Sequence, residues 1–211
     1  MASPLLPAVA RRPLAALAAV TALAAVAVAA PQASALTSDA TACGQEFSQV
    51  FAPWNDRDYY TLAQGGDFEQ ADAGWRYSGD AAVVADDVDN SGTGADRHSL
   101  RLGAGGTAVT PPVCVTDAHR TMRFFARDLA DRSGNSALRV EMIYTNANGN
   151  LQVKAIDNLT PSTAWAPTKV LRLDTSKYYG ELATAEVRFR FTAGKGSSVL
   201  IDDVFVDPRL R

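Results

Sequence analysis

The sequence predicts an all-β domain, a sandwich or a barrel, behind an irregular N-terminal arm. Two observations predict it. Short apolar runs alternate with polar residues at period two, and Gly, Pro and Asn turn signals separate them. No stretch after residue 35 sustains a 3.6-residue period. Many short strands without helices leave sheet-on-sheet packing as the way to bury a core. Composition agrees: of 211 residues, 47% are hydrophobic and 20% charged, an ordinary globular balance rather than a disordered one.

The first 35 residues read as a secretory signal peptide. Arg11 and Arg12 precede an apolar run from Leu14 to Ala30, and Ala33-Ser34-Ala35 supplies small residues for cleavage before Leu36. The run is at the short end for a membrane anchor. The arginine pair leaves the general and the twin-arginine export routes both open. Removing this segment takes away two Arg and no acid, so the mature chain of 176 residues carries a net charge of −5. That balance excludes nucleic-acid binding through bulk charge. No later run is long enough to span a membrane. The expected product is a secreted extracellular protein.

Residues 36–64 form the arm, because Pro53, Trp54, Asn55, Asp56 and Asp58 break any period. The sandwich domain occupies 65–211. Its expected strands run in order through Asp67–Glu69, Trp75–Tyr77, Ala82–Ala85, Ser99–Leu102, Thr107–Val109 and Val113–Val115. Pro111-Pro112 marks a break before the last of these. Thr121–Arg127 follows, with Met122, Phe124 and Ala126 on one face and Arg123, Phe125 and Arg127 on the other. Ala137–Thr145 alternates Leu138, Val140, Met142 and Tyr144 against Arg139 and Glu141. Asn148-Gly149 predicts a hairpin from there into Leu151–Ile156. Thr168–Leu173, Ala185–Phe191 and Val199–Val206 complete the set, with Val187, Phe189 and Phe191 opposite Glu186, Arg188 and Arg190. Period two puts one face on the core and the other in water.

Cys43 and Cys114 are the two cysteines, and in an oxidising compartment an even pair reads as one disulfide. Small residues before Cys43 leave a lipid-modified N-terminus as the rival reading.

Gly65-Gly66-Asp67-Phe68-Glu69 with Gly74-Trp75 near the start, and Leu200-Ile201-Asp202-Asp203-Val204-Phe205-Val206 at the end, bracket the domain. Ser99-Leu100-Arg101-Leu102 and Trp165 lie between them in order. This arrangement resembles galactose-binding-domain-like jelly rolls, including carbohydrate-binding modules of secreted glycosidases, from Gly65 to Val206. The whole layout also resembles a group of small secreted actinobacterial proteins, which implies export and fold and no activity. The first resemblance implies an antiparallel jelly-roll sandwich. It also implies a structural calcium held by Glu69 and Asp202, with backbone carbonyls near Gly66. Ca²⁺ takes six to eight oxygens, and neighbouring carboxylates need a cation to offset their repulsion.

Other candidates follow from residue chemistry. Asp87, Asp89 and Ser91 match half of an EF-hand loop, but His98 stands where its bidentate Glu belongs, so a solvated loop is expected. Trp75 and Trp165 are expected in the core, and Trp54 either as an anchor or as an exposed platform. Arg123, Phe125, Arg139, Glu141 and Arg188, with Arg127 and Arg190, would line one charged groove if their strands are neighbours. An ordinary solvated face with cross-strand ion pairs is the alternative. Catalysis finds no motif: His98 and His119 are the only histidines, and no nucleophile elbow or zinc-helix pattern occurs. The expectation is a secreted, non-catalytic binding module directed at an extracellular glycan or the cell envelope. The alternative is a structural or protein-interaction domain of the cell surface, and a glycan-active enzyme ranks third.

Overall fold

A computed structural model describes residues 43, 45–71, 73–86, 96–116, 118–129, 137–173 and 186–207. The signal segment, the start of the arm, and Asp87, Asp89 and Ser91 lie outside these residues. The described residues form two antiparallel sheets packed face to face, with no α-helix among them. None of them forms a helix long and apolar enough to cross a membrane.

The strands are β1 (Thr61–Leu62), β2 (Arg76–Ser78), β3 (Ala81–Ala85), β4 (His98–Leu102), β5 (Thr107–Val109), β6 (Val113–Cys114) and β7 (Thr121–Asp128). After them come β8 (Leu138–Thr145), β9 (Leu151–Leu159), β10 (Ala166–Pro167), β11 (Leu171–Arg172), β12 (Glu186–Ala193) and β13 (Val199–Asp207). The first sheet has the order β10-β7-β13-β4-β3, with β1 added to β13 and β11 to β7. The second has the order β2-β5-β12-β8-β9, with β6 added to β12.

Alternation works as expected at the interface between sheets. Met122, Phe124 and Ala126 face Leu138, Val140, Met142, Val187, Phe189 and Phe191 in one core. Phe124 meets Phe191 edge-on at 5.3 Å. Trp75 lies in that core too, stacked on Phe191 and tilted on Phe68, while its indole N–H donates to the Gln64 carbonyl. β13 is buried along its whole length because it is central in its sheet, with one face on the core and Phe205 covered by the arm. That position explains its nearly continuous apolar run.

Two expected elements differ. Asp67–Glu69 is not a strand. Gly65 at φ 61° and Phe68 at φ 53° turn the chain there, and Ala63 and Gly66 exchange backbone hydrogen bonds with Val204. A Cβ on Gly66 would sit 2.9 Å from the Val204 carbonyl oxygen, so that approach requires glycine. The strand beside β13 is Thr61–Leu62, inside the segment read as arm. Of Thr168–Leu173 only β11, Leu171–Arg172, is strand; β10 lies just before it at Ala166–Pro167, and both pair with β7. The Asn148-Gly149 hairpin forms, but as a wider loop between Thr145 and Leu151. The Asn146 side chain accepts from the N–H groups of Asn148 and Asn150, and Gly149 takes φ 77°.

Cys43 and Cys114 are joined by a disulfide across 71 residues. It pins the arm to β6, and the arm then crosses the outside of the first sheet.

Candidate functional site

The outer faces of the two sheets have opposite fates. On the first sheet the arm covers the outward side of β7 and β13. Phe51, Tyr60, Phe125 and Phe205 form a second apolar cluster there, with Phe51 stacked on Phe125 at 5.5 Å. Arg123 is buried under the same arm. Its guanidinium donates to Asp56 at 2.6 Å and to the Thr168 carbonyl at 2.9 Å, and lies 4.5 Å from the Phe51 ring centroid. Asp56 also accepts from the Tyr60 hydroxyl. Burial, then that carboxylate, pushes the Tyr60 pKa up. Trp54 anchors one edge of the cluster against Phe125 while remaining 45% exposed.

On the second sheet the outward face stays open. Strand register places its side chains in rows. Arg76, Val109, Arg190, Glu141 and Ala155 make one row across all five strands. Arg188, Ile143 and Val153 make the row on one side. Ser78, Thr107, Thr192, Arg139 and Asn158 make the row on the other. Glu141 is clamped between two guanidiniums, with Arg139 and Arg190 each 2.7 Å from a different carboxylate oxygen. Its carboxylate is only 5% exposed although it faces outward, because the two arginines lie over it. Arg188 donates to the Thr110 carbonyl.

The five residues expected to line one groove are therefore divided. Arg139, Glu141 and Arg188 share the open face of the second sheet. Arg123 and Phe125 lie on the far side of the sandwich, beneath the arm. The expectation rested on treating β7, β8 and β12 as neighbours. Period two identifies the face of a strand but not the sheet to which the strand belongs.

A carboxylate group lies at the β13 bulge. Asp96, Asp202 and Asp203 are all buried, and each brings an oxygen within 4.8 Å of the others. Asp203 takes φ 50°, and register with β7 shifts between Asp202 and Phe205. The bulge lets adjacent residues on one strand both reach Asp96, two residues before β4. Buried hard oxygens of this kind fit a calcium-type cation. Asp202 is in the expected place, whereas the other expected donors are occupied differently. Glu69 accepts from the N–H groups of Arg97 and His98 with one oxygen and meets the His98 ring with the other. Burial raises the Glu69 pKa, but those hydrogen bonds outweigh it and hold the carboxyl below its ordinary range. The Gly66 carbonyl accepts from Val204 N–H. Asp96 was missed because its signal in the sequence is only another acid beside a Gly-rich loop. A cavity of about 660 Å³ opens over Glu69, Asp96 and Asp203, walled by Phe47, Leu62 and Phe205.

Both histidines are engaged. His98 pairs with Glu69. His119 is fully buried, accepting from Thr116 N–H at Nδ1 and meeting Gln45 through Nε2.

No protein-family model matches the chain, and no curated protein matches it. Solved structures do resemble it. The xylan-binding CBM22-1 domain from Paenibacillus barcinonensis Xyn10C aligns at a TM-score of 0.48 and 12% identity, over 67% of this chain and 89% of that one. The family 11 carbohydrate-binding module of a Clostridium thermocellum cellulosomal cellulase aligns at 0.46 and 15%, over 72% and 96%. The expected likeness to carbohydrate-binding modules is found at the level of fold, with low identity throughout.

Proposed function

We propose that this chain is a secreted, non-catalytic binding module that holds an extracellular glycan on the open face of its second sheet. One observation carries the reading: the arm covers β7 and β13 on the first sheet's outer face, while the second sheet presents an ordered polar surface to solvent. Glu141 fixes two of that surface's guanidiniums, so their remaining N–H groups are preorganised for a ligand's oxygens. The disulfide is consistent with an oxidising, extracellular compartment, and the signal-like N-terminus supports the same location. A calcium at Asp96, Asp202 and Asp203 would be structural, since it would tie the segment leading into β4 to the β13 bulge.

The test is a glycan array probed with the purified oxidised protein. Selective binding that Arg190→Ala removes, with melting temperature kept, is the expected result. A blank array from well-folded protein overturns the reading in favour of protein interaction. One feature favours that alternative: β9 ends the second sheet with Leu151 and Val153 exposed in alternation.

A further inference from the structure

The three rows of the open face differ in charge from the rest of the molecule. They hold Arg76, Arg139, Arg188 and Arg190 against Glu141, on a chain whose formal net charge is −3. Both oxygens of Glu141 already meet arginines. The guanidiniums are spread rather than clustered. Arg188 and Arg190 lie two residues apart on one strand, roughly 7 Å, and Arg76 lies two strands from Arg190, roughly 10 Å. These rows contain no aromatic ring, so they offer no stacking platform for the CH face of a neutral sugar. A guanidinium instead matches carboxylate or phosphate oxygens in two-pronged geometry.

A cavity on the other side of the sandwich is acidic. It lies beside the carboxylate group and is lined by Glu46, Asp67, Glu69, Asp96 and Asp203, with no basic residue among the described residues of its wall. An approaching polyanion would be drawn to these guanidiniums and repelled from that cavity.

Building on the binding reading above, we propose that the ligand of the open face is an anionic glycan, with carboxylate or phosphate groups spaced along its chain. Its anions would meet several guanidiniums at once. Glu141 acts as a positioning residue that holds Arg139 and Arg190 in place.

The experiment is isothermal titration of the purified oxidised protein at low and moderate salt. The probes are polygalacturonate, a glycerol-phosphate polymer, neutral xylohexaose and a single-stranded DNA of matched charge. The expected result is that one of the two anionic polyols binds at least about tenfold more tightly than xylohexaose and more tightly than DNA, and weakens with salt. Which of the two binds identifies the anion's source. Arg76→Ala, on an exposed side chain, and Arg190→Ala should each weaken it by about tenfold. Glu141→Gln should weaken it as well, with little change in the salt slope, since it removes no cation. Xylohexaose bound on the same face, with the polyanions ignored, overturns the anionic class and leaves the binding module standing. Silence from every glycan overturns both. Equal binding of DNA overturns glycan recognition in favour of simple charge adhesion. Because Arg76 is exposed, its substitution keeps the test open even if Arg190→Ala has a folding defect.

Discussion

Asp203 adopts a left-handed backbone without being glycine, and the carboxylate group depends on that conformation. Such a residue is strained, and strain of this kind persists where surrounding structure holds it. If a cation is the partner, Ca²⁺ should raise the melting temperature, and Asp96→Asn should remove that rise. Glu69→Gln should leave most of it, because the Glu69 oxygens serve Arg97 and His98 instead. Thermal unfolding of the three proteins with Ca²⁺ and with chelator checks this. A rise abolished by Glu69→Gln and kept by Asp96→Asn would return the site to the donors first expected. His119 gives a pH dependence. Burial pushes its pKa down to about 4 from the ordinary 6.5. Above 6.5 the ring is neutral in folded and unfolded chains alike, and no stability is lost. Between 6.5 and 4 the unfolded chain takes up a proton that the folded chain refuses, so stability falls with acidification by up to about 3 kcal/mol. His119→Gln should flatten that part of the stability profile, measured by urea unfolding at successive pH values.

At the scale of elements, the arm is an integral layer of the fold. It brings Phe51 onto Phe125 and Asp56 onto Arg123, with side chains 8% and 12% exposed in that ion pair. Asp56→Ala would strand a buried guanidinium, and we expect a loss of about 3 kcal/mol by denaturant unfolding. A loss below 1 kcal/mol, as for an exposed pair, would mean that the arm lifts in solution. The strands themselves were largely legible. β5 appears with the predicted ends, and β7, β8, β12 and β13 differ by a residue or two, since alternation reports burial directly. The Gly65–Glu69 segment misled because an isolated Phe between polar residues looks like a strand until its turn and core contacts are known.

For the whole molecule, the decisive feature is which strands neighbour which. The disulfide ties residues 71 apart and, by loop-closure reasoning, contributes up to about 4 kcal/mol. It also carries the arm from β6 to the opposite sheet. That route covers β7 and β13 on one outer face and leaves the other face open, which separates the candidate ligand surface from the acidic cavity. Local pattern was enough to determine an all-β chain, the residues of β7, β8 and β12 that face the main core, and its paired cysteines. Those follow from period, turn chemistry and compartment, which act over a few residues. Only the tertiary structure decided that Arg123 and Phe125 are buried anchors, that Arg139, Glu141 and Arg188 share a face with Arg76, and that Asp96 joins Asp202 and Asp203. Those outcomes depend on sheet order and on a bulge. Contacts between distant segments decide both, and no local period encodes them.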